Sequence, residues 1–159
     1  MNATASPAQV DLRRTIAAPP EVLFAAWLDA ASLVRWMHPG ATTHTDATLD
    51  PRVGGAFAIH MHTPGGVVPH RGKYLEIVPH TRLVFTWQSP HTGGRDSLVT
   101  ITFTPVGRAT EIHLVHEQLP AEKVSGHLGG WTDCVAGLEE FAAVDAAPTT
   151  PTTPTTPTA

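Results

Sequence analysis

Histidine is the residue type through which this sequence could do chemistry, because the chain carries ten of them. His60 and His62 lie two positions apart in an alternating segment, so both imidazoles are expected on one strand face, a spacing that could chelate zinc. A third ligand would be needed, and His44, His70 and nearby acids are candidates that no motif selects. The apolar residues of the segment alternate to the opposite face. We therefore expect the histidine pair to face solvent and predict no metal site.

Two further histidines are placed where they could meet a bound molecule. By alternation, His116 shares the inward face of its strand with Ile112 and Leu114, at the end of that strand. Its imidazole could hydrogen-bond a ligand, act as an acid or base, or be a core histidine satisfied by a backbone carbonyl or an acid. His127 lies four residues before Trp131 on one helix, so a pairing of His116 with His127 across a cavity rim is a further hypothesis.

Other reactive side chains lack the surroundings that catalysis requires. Cys134 is the only cysteine, which excludes an internal disulfide, and its position three residues after Trp131 predicts an inert buried thiol. Ser97 lacks the flanking glycines of a hydrolase nucleophile, and the DPRVGG segment lacks the lysine of a phosphate loop. The sequence therefore favours a protein that is not an enzyme and needs no cofactor, with His116 as the candidate acid or base if a reaction is catalysed.

Composition narrows the class of protein. The chain has 159 residues, enough for one domain, and its net charge of -4 argues against a nucleic-acid binder. No stretch approaches the roughly 20 apolar residues of a membrane span, and the N-terminus has no apolar core of signal-peptide length. We predict a cytoplasmic protein without a membrane span.

The elements that must position these residues follow from periodicity. A short strand begins at Val10, and two short helices follow, the first with Pro20 in its first turn and the second capped by Asp29. Five alternating segments then predict antiparallel strands: AFAIHMHT, KYLEIV, RLVFTWQ, SLVTITFTPV and TEIHLVHEQL. In KYLEIV, Leu75 and Ile77 are expected to face the core, with Tyr74 and Glu76 on the solvent side.

The last element is a long helix from about residue 121 to 143. Its apolar stripe has the spacing of a helix that lies against a sheet: Val124, Leu128, Trp131, Val135, Leu138 and Ala142. The sequence predicts an α+β domain over residues 10–144, a curved antiparallel sheet wrapped around a long C-terminal helix. Residues 1–9 are predicted to be flexible, and the Pro/Thr-rich residues 145–159 to form a disordered tail.

Two adjacent glycines, Gly129 and Gly130, interrupt this helix directly before Trp131. Each costs roughly 1 kcal/mol relative to alanine inside a helix, so their presence needs an explanation. They permit either close packing of the helix on the sheet or an open space beside Trp131 that a ligand could occupy. The sequence leaves both interpretations open.

Five segments carry a family resemblance in a fixed order: VLFAAWLDAASLVRWM, DPRVGGAF, GKYLEIVPHTRLVFTW, VTITFTPVGRATEIHLVHEQLP and HLGGWTDCVAGLEEF. Over roughly residues 10–144, the chain resembles the START-like (SRPBCC, birch-pollen-allergen-like) helix-grip fold. Within that fold it is most similar to the activator of heat-shock-protein-90 ATPase homologue family. The resemblance implies a cavity between sheet and long helix that can hold a small apolar or amphipathic molecule.

The leading hypothesis is therefore a protein that binds a small apolar molecule in this cavity, with apolar walls giving affinity and histidines giving orientation. The candidate ligand-binding residues are Trp36, Met61, Phe85, Trp87, Phe103, His116, His127 and Trp131. One alternative is a co-chaperone that stimulates a heat-shock-protein ATPase, and another is an enzyme with His116 as acid or base. Homodimerisation is a further expectation for a domain of this kind.

Overall fold

The computed structural model of the protein describes residues 9–146. The predicted flexible N-terminus (1–9) and the predicted Pro/Thr-rich tail (145–159) therefore fall almost wholly outside the described residues. Among the residues described, no helix combines the length and the apolar character needed to cross a lipid bilayer.

Seven antiparallel strands form one curved sheet, in the spatial order β1-β7-β6-β5-β4-β3-β2. Strands β2 to β7 pair in chain order, and β1 adds beside β7, so β1 and β2 are the two edges. The bounds are β1 Val10–Ile16, β2 His44–Leu49, β3 Ala56–Thr63, β4 Gly66–Val78, β5 Arg82–Trp87, β6 Ser97–Val106 and β7 Ala109–Glu117. With the long C-terminal helix, this sheet confirms the predicted α+β helix-grip fold.

The sequence analysis missed strand β2 and the first half of β4. β2 pairs with β3 along its whole length, and β4 continues the β3 hairpin from Gly66 onward. Both segments are rich in polar, proline or glycine residues, so neither shows the apolar alternation that marks a half-buried strand.

Two short helices, α1 Pro20–Leu28 and α2 Ala30–Trp36, follow β1 as predicted. Asp29 caps α2, since its Oδ2 accepts a hydrogen bond from the Ser32 backbone N–H at 3.2 Å. Trp36 at the end of α2 donates its indole N–H to the Ala26 carbonyl at 3.2 Å. Its ring meets that of Trp27 edge to face, with centroids 4.6 Å apart, so the two helices share one aromatic core.

The long helix α3, Val124–Ala146, covers the inner face of the sheet after a 3-10 turn at Ala121–Lys123. Trp131, Val135, Leu138 and Ala142 are buried at its contact face, as the stripe predicts. Leu128 is an exception, because 41% of it is exposed. The first turns of α3 therefore extend past the packed core.

Gly137 lies at a close approach of α3 to the end of α2. A Cβ at this position would lie 2.5 Å from the Trp36 carbonyl oxygen, a distance that real Cβ atoms do not reach. The absent side chain thus lets α3 lie directly against the end of α2. The sequence analysis did not single out this glycine.

The predicted facing of residues 74–77 is wrong for Tyr74 and Leu75. Tyr74 is buried at 4% exposure, whereas Leu75 is 46% exposed. A register irregularity between Tyr74 and Glu76 separates the part of β4 that pairs with Phe85 from the part that pairs with Val84. Because a bulge inserts one residue, it reverses the alternation that the sequence pattern assumes.

Candidate functional site

A cavity of about 470 Å³ lies between the N-terminal half of α3 and the inner face of strands β3 to β5. Its deep walls are the buried side chains of Met61, Trp87, Trp131 and Cys134. Its rim combines the segment after α2 with the start of α3, formed by Pro39, Ala41, Thr42, Glu122, Ser125 and Gly126. The Gly40 backbone N–H donates to Asp133 Oδ2 at 2.9 Å, which ties these two sides of the rim together.

Glycines on α3 leave part of this space open. Gly126 and Gly130 both line the cavity; a Cβ on Gly126 would meet nothing within 4 Å, and one on Gly130 only the Pro39 Cβ at 4.0 Å. Gly129 is exposed, and a Cβ there would also meet nothing within 4 Å. The glycine pair before Trp131 therefore does not serve close packing on the sheet, and the close-packing interpretation fails at these positions.

Aromatic rings form one continuous side of the cavity. The rings of Trp87 and Trp131 lie 5.0 Å apart at 52°, and the His70 ring lies 4.9 Å from that of Trp87. Behind them, Trp27 touches Trp131 with centroids 6.1 Å apart. This packing joins the cavity wall to the core, so the wall is rigid on its inner side.

A buried chain of hydrogen bonds fixes the orientation of Trp131. The Trp131 indole N–H donates to His116 Nδ1 at 2.9 Å, and His116 Nε2 lies 2.7 Å from Ser97 Oγ. The Ser97 hydroxyl in turn donates to the Trp87 carbonyl at 2.5 Å. An indole can only donate, so Nδ1 must be the acceptor and Nε2 must carry the proton. Each of the three donors, on Trp131, His116 and Ser97, therefore has an acceptor.

These hydrogen bonds with Trp131 and Ser97 determine what His116 can do. His116 has 0% exposure, and burial, with the nearby His127, lowers the pKa of His116 to about 3. It stays neutral at pH 7, and its one lone pair already accepts from Trp131. Proton transfer by His116 would break that bond, so the geometry supports a positioning role for His116 and not an acid or base role.

Three other imidazoles, His70, His91 and His127, line the cavity. Burial, with contributions from His91 and His127, lowers the pKa of His70 to about 4, and burial also lowers the pKa of His127. His127 Nδ1 lies 2.8 Å from the Lys123 carbonyl and must donate to it, which leaves Nε2 as an acceptor in the neutral ring. His70 Nδ1 is buried and has no hydrogen-bond partner among the described residues. His127 thus offers an uncharged acceptor to a cavity whose deep walls are apolar and whose rim carries polar side chains.

The predicted site residues fall into three groups. Met61, Trp87, His127 and Trp131 line the cavity, and His116 lies behind Trp131. Trp36, Phe85 and Phe103 are buried in the core and do not line this cavity. The rings of His116 and His127 meet edge to face at 4.9 Å, so the predicted pairing is a packing contact.

His70 and His91 are two cavity histidines that were not predicted from the sequence as ligand contacts. His70 lies in the part of β4 without apolar alternation, and His91 lies in a 3-10 turn at Pro90–Thr92. The two-residue spacing of His70, Gly72 and Tyr74 was the one available signal, since all three belong to the inner face of β4.

Cys134 lines the cavity with a deeply buried thiol. Burial, and then the neighbouring Asp133, raise the pKa of this thiol, so it is protonated at neutral pH. It contributes an apolar surface to the wall and no nucleophile. In residues 9–146, the single group of three potential metal ligands lies elsewhere, at His44, Asp46 and His62 on the outer face of the sheet.

A family model described as Activator of Hsp90 ATPase homolog 1-like protein matches residues 17–143 of the chain. An uncharacterised protein of Schizosaccharomyces pombe is 28% identical to this chain over 132 residues. These residues are 80% of this chain but 36% of the yeast protein, so the chain spans about a third of that relative's length.

Solved structures of bacterial proteins share the fold. Protein CV1439 from Chromobacterium violaceum is 28% identical, with a TM-score of 0.73 over 85% of this chain and 96% of its own. Protein NE0264 from Nitrosomonas europaea is 22% identical, with a TM-score of 0.76 over 91% of this chain and 99% of its own. At these levels of sequence identity, the structural similarity indicates a shared fold.

Proposed function

We propose that this chain, which belongs to the Activator of Hsp90 ATPase homolog 1-like family, binds a small and largely apolar molecule between α3 and strands β3 to β5. The observation that carries the proposal is the fixed Trp131 indole beside an unfilled space. Hydrogen bonds through His116 and Ser97 hold the Trp131 ring in place, while Gly126 and Gly130 on the same helix leave the space beside it open.

The size and lining of the cavity indicate the chemistry of the ligand. Its volume of about 470 Å³ falls in the range of about 300 to 1,000 Å³ that small-molecule sites occupy. The tryptophans and Met61 suit a flat or branched apolar body, and the neutral His70 and His127 suit an uncharged polar group. A hydroxyl group could donate to His127 Nε2.

Native mass spectrometry of the purified chain, followed by denaturing extraction, tests the proposal. We expect an apolar molecule with one or two hydroxyl or carbonyl groups to be recovered at close to one per chain. If the chain is empty as purified, added apolar alcohols and ketones should raise its melting temperature, and tighter ligands should raise it more at equal concentration. An empty chain whose melting temperature no such molecule moves would contradict the proposal.

Stimulation of a heat-shock-protein ATPase is the second candidate function, and it rests on the description of the family. Such a role would use the outer surface of the domain and would not need the cavity. A variant with a filled cavity would then stimulate the ATPase as well as the wild type does. The cavity is formed within one chain, so ligand binding does not require the expected homodimer, which stays a prediction.

A further inference from the structure

The outer face of the sheet carries a second group of polar side chains, separate from the cavity. His44 and His62 are direct cross-strand partners in the β2–β3 register, and their rings stack with centroids 3.9 Å apart at 14°. Asp46 follows two residues after His44 on the same strand face, and its Oδ2 lies 2.7 Å from His62 Nε2. One donor atom from each of the three residues lies within 4.8 Å of the others.

Two imidazole nitrogens and one carboxylate oxygen are a donor set that divalent transition metals prefer. Ligand bonds of about 2.0–2.2 Å around a tetrahedral zinc place donor atoms roughly 3.3–3.5 Å apart. The three donors lie within 4.8 Å of one another, so rotation of these surface side chains can bring them to this spacing. Asp46 and His62 are 65% and 28% exposed as side chains, which leaves an ion free to enter and water free to fill the remaining position.

The backbone beneath this group is well suited to hold it. All three residues lie on paired strands, and residues on strands place their side chains more reproducibly than residues on loops. The inward neighbours Thr45 and Met61 are buried, which fixes both strands against the core. The backbone positions of the three residues are therefore set by the pairing of β2 with β3.

A second histidine–aspartate pair on the same domain provides a contrast. His113 Nε2 lies 2.8 Å from Asp11 Oδ1 across strands β7 and β1, much as His62 lies against Asp46. Within the described residues, however, no third metal-ligating side chain joins this pair. A histidine–aspartate pair alone is thus a common surface contact. The stacked second imidazole distinguishes the group of His44, Asp46 and His62, called the His44 group below.

We propose that His44, Asp46 and His62 bind one divalent transition-metal ion of the zinc class, with water completing its coordination. His44 is the first residue of edge strand β2. Thr42, two residues before it, borders the cavity, as does Thr63 directly after His62. A bound ion fastens the start of β2 to β3 and so stiffens this part of the cavity rim. The site stands on its own observations and does not rest on the proposed ligand.

Isothermal titration with zinc chloride tests the site, on protein prepared without a histidine tag and stripped with a chelator. We expect saturable binding of one zinc per chain. H44A, H62A and D46N should each weaken it at least about tenfold, because each removes a ligand. The matched control is H113A, which removes the histidine of the other pair and should bind zinc as the wild type does.

Thermal unfolding of the same proteins provides the second measurement. Zinc should raise the melting temperature of the wild type and of H113A, and leave that of H62A and D46N unchanged. D46N keeps the shape of the side chain, so it tests the site even if a histidine variant were poorly folded. No saturable zinc binding by the wild type, or equal binding by all four variants and the wild type, would overturn the proposal.

Discussion

At the residue scale, the Ser97–His116–Trp131 chain joins the buried polar groups of the core to the wall of the cavity. His116 is neutral and has both ring nitrogens engaged, and His70 is neutral inside the cavity lining. Two buried neutral histidines make the stability of the domain depend on pH in a direction that can be worked out.

The free energy of unfolding should fall as the pH drops from 6.5 toward 4. In the unfolded chain both histidines titrate near 6.5, whereas in the fold the pKa of His70 is about 4 and that of His116 about 3. The unfolded state therefore binds more protons below pH 6.5, which removes about 2 kcal/mol per histidine at pH 5. Urea unfolding at pH 7 and pH 5 measures this loss.

The variant H116Q measures how much of the pH-dependent loss of unfolding free energy is due to His116. A glutamine can accept from Trp131 and donate to Ser97, so the fold should survive with a cost of about 1–3 kcal/mol at pH 7. The pH-dependent loss should shrink by the share of one histidine. A wild-type stability that is flat between pH 7 and pH 5 would mean that the two rings are not buried in neutral form.

Cys134 supplies a simple check of burial at the cavity wall, because it is the only cysteine in the chain. Its thiol is buried and its pKa is raised by that burial and by Asp133. Ellman's reagent at pH 7.5 should therefore react very slowly with the native protein and titrate one thiol after unfolding. A rapid reaction of the native protein would place the thiol in contact with solvent.

At the scale of the element, α3 uses its glycines in two different ways. Gly137 lies against α2, with no room for a Cβ beside the Trp36 carbonyl, whereas Gly126, Gly129 and Gly130 have free space around them. One end of the helix thus closes the core while the other end leaves a cavity.

The substitutions G137A and G129A should have opposite effects on stability. G129A adds a methyl group where nothing lies within 4 Å, so it should stabilise the domain by up to about 1 kcal/mol through helix propensity. G137A places the same methyl 2.5 Å from a backbone oxygen and should destabilise by about 1–3 kcal/mol. Chemical unfolding measures the free energy of unfolding of both variants. Equal effects would contradict the close contact between Gly137 and the Trp36 carbonyl.

Periodicity explains why much of the fold could be predicted from the sequence. Strict alternation in β6 places Val99, Ile101 and Phe103 in the core, and the α3 stripe from Trp131 to Ala142 is buried as expected. These signals are local, because each residue's facing depends only on its own element. The family resemblance was also found in short sequence segments, and the match over residues 17–143 confirms it.

The misses concern features that depend on neighbours distant in sequence. The bulge after Tyr74 arises from pairing with β5, and the roles of the α3 glycines depend on where Trp36 and Pro39 lie. The stacked pair of His44 and His62 depends on the β2–β3 register, whereas the sequence pointed to His60 with His62. His70 was missed as a ligand contact because its strand half has no apolar pattern.

At the scale of the whole molecule, the two proposed sites lie on opposite faces of the sheet. The inner face holds the cavity, with its fixed Trp131 wall, and the outer face carries the His44 group on strands β2 and β3. Both sites meet at the segment between α2 and β2. An ion on the outer face and a ligand on the inner face would therefore act on the same part of the chain.

The central claim is that an apolar molecule occupies the space beside Gly130 and Trp131. The most direct measurement is fluorescence titration of the wild type, G130L and G129L with N-phenyl-1-naphthylamine, an uncharged apolar probe. The two leucines carry the same helix propensity, but only the one at 130 enters the cavity lining. We predict that G130L lowers the affinity at least about tenfold and that G129L binds as the wild type does. Equal affinities for all three proteins, or no binding by the wild type, would contradict the account.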